Sequence, residues 1–228
     1  MIYGVLDIET TGLDKRSHRI IEVGIRLIQD RDILPDCFHE YINPERLVDP
    51  GAFAVHGISD EFLKTKPTFD QVSEQLKDFM LRCDAIIIHN APFDHPFLKM
   101  EFARIDGEVS WLDGLKIIDS LVMARKKYPG QKNNLDALCD RLSVSNEGRE
   151  YHGALKDADI LAEVYLAMTR SQYELGFQER PSEASELSNQ ALKGFDYSYP
   201  LSIDLFEAHQ MWLKNHPNHL FSDDLAKE

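Results

Sequence analysis

Residues 2–12 read Ile2-Tyr3-Gly4-Val5-Leu6-Asp7-Ile8-Glu9-Thr10-Thr11-Gly12, and this stretch decides the fold. The run 2–8 is short, apolar and rich in β-formers, which predicts a first strand. It ends on two carboxylates that flank Ile8. Residues two apart on a strand point to the same face, so Asp7 and Glu9 are expected to converge on one spot. Carboxylates held that close repel each other unless a cation lies between them. The turn Thr10-Thr11-Gly12 is expected to leave backbone N–H groups near the same place. A strand end with two solvated acids and a turn fits these residues as well, so the metal reading needs further ligands.

Working outward, residues 20–29 alternate apolar and polar through Ile21, Val23, Ile25 and Leu27, the period-two pattern of a second strand. A third is expected over 37–42. Pro67-Thr68 opens a helix to about residue 82, with Phe69, Val72, Leu76 and Phe79 at helical spacing. Residues 84–89 form a continuous apolar run of strand length, which predicts a strand covered on both faces. Helices follow over 92–105, 120–127, 135–142 and 154–169. In the last, Ala154, Ala158, Leu161, Tyr165 and Met168 make one stripe. Three early strands, then helices interleaved with a buried strand, predict an α/β domain with a mixed central sheet flanked by helices.

Composition narrows the class. The 228 residues are 43% hydrophobic, enough for a sizeable core, and no apolar run reaches the length of a membrane span. The N-terminus lacks the basic region and cleavage site of a signal peptide. Cys37, Cys83 and Cys139 are far apart, which excludes a disulfide framework and a cysteine-rich zinc site and suggests a cytoplasmic location. The net charge of −14 is unusual for a protein that tracks phosphates, which normally carries a basic excess. The excess acid is concentrated late: residues 171–228 hold 4 basic and 10 acidic residues. An acidic chain can still act on DNA if divalent cations sit on some of its carboxylates.

Two later segments could supply the missing ligands. In His89-Asn90-Ala91-Pro92-Phe93-Asp94, a buried strand stops and Asp94 falls in the first turn of the next helix. An aspartate there is also a common helix-start residue. In His152-Gly153-Ala154-Leu155-Lys156-Asp157, the histidine precedes a well-patterned helix and Asp157 lies in its first turns. Within one helix a spacing of five would splay the two by about 140°. With His152 ahead of the helix, both can reach one site.

Together the three segments resemble, in order, the motifs of the DEDDh (DnaQ-like) 3′→5′ exonucleases, with Asp7, Glu9, Asp94, His152 and Asp157 in the five defining places. The segments 47–58, 134–139 and 162–169 are most similar to the proofreading epsilon subunits of bacterial DNA polymerase III. The resemblance covers residues 3–177 almost without a gap. It implies a ribonuclease H-like fold and two Mg²⁺ or Mn²⁺ ions held by Asp7, Glu9, Asp157 and Asp94. His152 is then the general base, a task its ordinary acid–base range suits. The substrate is a DNA 3′ terminus, and Asp7, Glu9, Thr10, His56 and Asp157 lie along the terminal nucleotide. Gly51 departs from the pattern, since such subunits often carry an acid there. Arg125-Lys126-Lys127 and Lys132 form the main basic cluster, which suits either phosphate tracking or stabilisation of a helix end.

The resemblance divides the chain into an exonuclease domain over 1–177, a linker over 178–200 and a C-terminal tail over 201–228. Of the 17 residues 178–194, 11 are Gln, Glu, Asn, Pro, Ser or Gly, a linker composition. The tail carries a short amphipathic segment with Trp212, expected to bind the polymerase catalytic subunit. Gln172, Leu175 and Phe177 resemble a Q-x-x-L-x-F sliding-clamp peptide, expected on extended backbone. Two other readings share the fold: a catalytically silent binding module, and a free-standing exonuclease trimming RNA or DNA 3′ ends.

Overall fold

A computed structural model describes residues 1–105, 109–148 and 151–175. Five strands form one sheet in the order β3-β2-β1-β4-β5: β1 is Ile2–Thr10, β2 Ile20–Gln29, β3 Asp32–Tyr41, β4 Ala85–Ile88 and β5 Ile117–Asp119. The first three strands pair antiparallel, and β4 and β5 add in parallel beside β1. This is the mixed sheet the sequence predicts. Asp30 and Arg31, both at positive φ (49° and 75°), join β2 to β3 in a two-residue hairpin whose twist suits the flanking strands.

Helices cover both faces. Leu6 and Ile8 of β1, Val23, Ile25 and Leu27 of β2, and Ile86 and Ile88 of β4 turn one way. They pack with α3 (Phe69–Leu81), α4 (Ala91–Ile105) and α5 (Ser110–Gly114). Thr68 and Gln71 cap α3 reciprocally. Val5, Ile28 and Ile87 turn the other way, under α6 (Ser120–Lys127), α7 (Leu135–Leu142) and α8 (Ala154–Leu175). The short α1 (Pro50–His56) and α2 (Asp60–Leu63) lie between β3 and α3, around a small cluster of Ile21, Ile58 and Leu63.

Several details differ from the sequence reading. β3 starts at Asp32, five residues early, because the tight hairpin zips it onto β2 at once. The short α1, α2, α5 and β5 carry too few residues for a periodic signal. β2 is buried on both faces, Glu22 and Gly24 included, which its alternation alone does not indicate. Helix α8 continues to Leu175, since no Gly or Pro interrupts it before Gly176. Gln172 and Leu175 therefore sit on helical rather than extended backbone. Phe177, the linker and the tail lie outside the described residues. All three cysteines are unbridged thiols, and no described helix is long and apolar enough to cross a membrane.

Candidate active site

Strand alternation gives Asp7 and Glu9 the same face as Val5, the face beneath α8. Both are half-buried. The β1–β2 register shifts between Glu9 and Thr10, a bulge that ends regular pairing beside the two acids.

Gly24 determines how close α8 can come. It pairs with Asp7 across the ladder, and a Cβ on it would lie 2.3 Å from Leu155 N and 2.4 Å from Ala154 C. The first turn of α8 therefore rests directly on β2 backbone, where only a hydrogen fits. Two residues along the same face, Arg26 donates Nε to Asp159 Oδ1 at 2.5 Å and Nη2 to Asp159 Oδ2 at 3.2 Å. That fork fixes the rotation of the helix. Asp157 is thereby brought beside β1 and is almost fully buried, at 3% exposure. On the loop just before α8, His152 donates its backbone N–H to Val55 O at 3.1 Å, and its Nδ1 lies 3.1 Å from Asp157 Oδ2.

Asp94 arrives from the opposite layer. β4 ends at Ile88, opposite Leu6, and Asn90 at φ 71° turns the chain into α4, a left-handed conformation that asparagine tolerates better than most residues. The backbone N–H groups of Ile8 and of Asp94 itself favour the charged form of the Asp94 carboxyl. Burial, reinforced by the charges of Glu9 and Asp119, outweighs that effect and pushes the Asp94 carboxyl up to about 8.

One ligand atom each from Glu9, His152 and Asp157 lie within 4.8 Å of one another, the one such group among the described residues that could hold a metal ion. Asp7 stands two residues before Glu9 on the same face, and Asp94 is within electrostatic reach of Glu9. Neither belongs to that tight group. The structure thus draws His152, expected as the base, as close as the expected ligands. A donor set of carboxylate oxygens with one imidazole suits a divalent cation, and the concentration of buried acid gives a cation something to neutralise.

Beside these residues lies a cleft of about 590 Å³ lined by Glu9, Thr10, Gly12, Leu13, Asp49, Pro50, Gly51, Ala52, Val55, His56 and Phe93. Thr10 and His56, expected along the nucleotide, are both on its wall. Thr10 Oγ1 donates to Gly12 O at 2.8 Å, so its hydroxyl holds the turn. Of the backbone N–H groups in that turn, that of Thr11 donates to Arg19 O at 2.9 Å. Burial lowers the His56 pKa, against the neighbouring Glu22 charge and the Thr10 backbone. His56 Nδ1 accepts the Ile58 N–H at 2.9 Å, so a neutral ring carries its proton on Nε2. Nothing lies within 4 Å of a Cβ placed on Gly51, so the acid missing there would have had room.

Sequence reasoning missed Gly24 and Glu22. Glu22 is 2% exposed, faces Glu9 across the ladder and binds His39 Nε2 through Oε1 at 2.7 Å. The signal for Gly24 was a glycine inside a strand pattern, which marks close backbone approach. Phe93 and Val55, the apolar walls of the cleft, had none.

A strand-end acid pair, two helix-start acids and a histidine gathered at the end of the central strand define a class, and the exonuclease family model (RNase_T) matches residues 5–165. The chain belongs to that exonuclease family. Among its relatives, DNA polymerase III subunit epsilon of Escherichia coli (strain K12) is 47% identical over 179 residues, covering 76% of this chain and 73% of the relative. The subunit of the same name from Haemophilus influenzae is 40% identical over 227 residues, covering 92% and 88%. Among solved structures, Exonuclease X in complex with 5′ overhanging duplex DNA superposes with a TM-score of 0.59 at 24% identity, covering 75% of this chain and 93% of that one. The E. coli ExoI–ssDNA complex gives 0.66 at 18%, covering 76% and 41%. These two likenesses establish the fold.

Proposed function

We infer that this chain is the 3′→5′ proofreading exonuclease of a DNA polymerase III, removing mispaired 3′-terminal nucleotides as 5′-monophosphates. The observation that carries this reading is the group formed by Glu9, Asp157 and His152, with the Asp157–His152 contact at 3.1 Å, at the mouth of a nucleotide-sized cleft. Two Mg²⁺ or Mn²⁺ ions held by Asp7, Glu9, Asp157 and Asp94 would polarise the phosphoryl group and stabilise charge on the attacking and leaving oxygens. His152, oriented by Asp157 and open to solvent, takes the proton of the attacking water. The apolar cleft walls receive the terminal sugar and base, with Thr10 and His56 beside them on the same lining. The location is cytoplasmic.

The likeness to polymerase subunits extends the reading to partners. The tail over 201–228 binds the polymerase catalytic subunit, and Gln172, Leu175 and Phe177 bind the sliding clamp. Linking two weak contacts in one chain strengthens both through effective concentration.

The test uses a primer with a mispaired 3′ end, a matched one and an RNA of the same sequence. Metal-dependent release of deoxynucleoside 5′-monophosphates, faster from the mispair and stimulated by the polymerase subunit, is expected. Preference for RNA would make the chain a free-standing RNA exonuclease instead. Truncation after Gln178 should preserve hydrolysis and clamp binding while abolishing polymerase binding. Leu175→Ala with Phe177→Ala should weaken only the clamp. Co-elution of the truncated protein with the polymerase would refute the tail assignment.

A further inference from the structure

A second cleft, of about 350 Å³, opens where β4 and β5 end, lined by His89, Asn90, Leu121, Arg125, Gln131, Asn133 and Asn134. It adjoins the candidate site through one turn of helix: Asn90 borders this cleft, and its carbonyl accepts the N–H of Phe93, which lines the first cleft. One such turn rises about 5.4 Å.

Its walls are fixed and its donors are not. Asp119 Oδ1 accepts the N–H groups of Asn90, Leu121 and Val122 at 3.3, 2.9 and 3.2 Å, which pins both rims. His89 is held between Ser120 Oγ, 2.9 Å from its Nδ1, and the backbone of Asn133. Burial, with Arg125 nearby, lowers its pKa and keeps the ring neutral. Asn133 is committed too, donating to Tyr128 O and Gln131 O and accepting from Arg141. Arg125 is exposed, and among the described residues it makes no hydrogen bond or ion pair. The basic cluster therefore divides. Lys127 is spent on Met168 O and closes the helix end, whereas Arg125 faces the cleft. A guanidinium beside the side-chain amides of Asn90, Gln131 and Asn134, with no carboxylate among the lining residues, suits an anion that also offers hydrogen-bond acceptors.

We propose that this cleft is a second-nucleotide subsite, in which Arg125 holds the phosphodiester one nucleotide upstream of the 3′ terminus while Asn90, Gln131 and Asn134 line the adjoining sugar and base. The proposal rests on the exonuclease assignment. It accounts for how a chain of net charge −14 grips a polyanion: one unpaired cation sits beside the acidic centre, on the strand's path.

The test compares a single-stranded deoxyoligonucleotide with the p-nitrophenyl ester of thymidine 5′-monophosphate, which offers a terminal nucleotide and nothing upstream. For Arg125→Ala in the full chain, the ratio of kcat/KM on the oligonucleotide to that on the ester should fall about 10- to 100-fold, the size of a lost charge-assisted hydrogen bond. The slope of log(kcat/KM) on the oligonucleotide against log[salt] should become shallower by about 0.7, the value for one phosphate contact on a single strand. Arg125→Lys should restore the slope but only part of the ratio, since an ammonium is a point charge without the planar fork. An unchanged ratio, whether both substrates fall together or neither does, overturns the proposal. Wild-type protein that cleaves the ester but no oligonucleotide would remove the exonuclease assignment, and the subsite with it.

Discussion

The two sides of the candidate site are built differently. On the strand side, Asp7 and Glu9 are half-buried and placed by simple alternation along β1. On the helix side, Asp94 and Asp157 are 4% and 3% exposed and owe their positions to packing: Asp94 to the left-handed turn at Asn90, Asp157 to Gly24 and the Arg26–Asp159 fork. Strand acids can be hydrated before any cation arrives. Helix acids cannot, so the fold bears the cost of holding them ready. The same chemistry is thus drawn from one cheap source and one costly source.

The largest effect should come from deleting one acid on each side. Asp7→Ala and Asp157→Ala should each lower hydrolysis by more than about 10³-fold, because several kcal/mol of metal-assisted charge stabilisation are lost. Their secondary effects should differ. Asp7→Ala leaves the His152–Asp157 contact intact, whereas Asp157→Ala releases the imidazole. Mn²⁺ should raise the melting temperature of the wild type through binding linkage and much less that of either variant. Equal metal-induced shifts in all three proteins would place the cation elsewhere.

His152→Ala should reduce kcat by roughly 10²- to 10⁴-fold, the usual worth of a general base, with DNA binding retained. The acidic limb of the pH–rate profile should move or disappear. An unchanged profile would assign the base to another group. His89 is a poor candidate, since its Nδ1 is engaged by Ser120 Oγ and it lines the second cleft, outside the group of Glu9, His152 and Asp157.

A smaller effect tests the seat of the helix side. Gly24→Ala forces a methyl into the backbone of Ala154 and Leu155, neither of which can yield as a flexible side chain could. Overpacking of this kind costs about 1–3 kcal/mol, or roughly 2–12 °C of melting temperature for a domain this size. Activity measured well below the transition should also fall, because α8 carries Asp157. Full activity with an unchanged transition would show that α8 is not seated through Gly24.

This asymmetry also explains what was legible in the sequence. The strand acids announce themselves, because a period of two needs only three consecutive residues. The stripe of α8 and the continuous run of β4 were equally plain, and both faces of the sheet followed from them. Asp94 and Asp157 looked like ordinary helix-start acids until set beside Asp7, Glu9 and His152. What stayed hidden depends on contacts between distant segments. The alternation of β2 does not say what meets its second face, where Gly24 lies against Ala154 and Leu155 and Glu22 is buried. The cleft needs Phe93 of α4 and Val55 of α1 on its walls, 38 residues apart in a pattern with no local period.

The subtlest prediction asks whether the cost of the helix side can be measured directly. Burial, which penalises its charge, pushes the Asp94 carboxyl up to about 8, far above an ordinary aspartate. A group whose folded pKa is raised binds more protons folded than unfolded, so its contribution to stability is fully present below about 4 and is lost as pH rises toward 8. Metal-free protein should therefore lose stability from this group across that window. Asp94→Asn keeps the shape and cannot ionise. It should raise the metal-free melting temperature at pH 8–9 by several degrees, about 5 °C in a domain of this size, relative to any change at pH 4–5. Saturating Mn²⁺ should narrow the gap by stabilising the wild-type carboxylate, which the amide cannot replace. If the difference between variant and wild type does not depend on pH, Asp94 is no costlier than the strand acids, and the contrast between the two sides of the site fails.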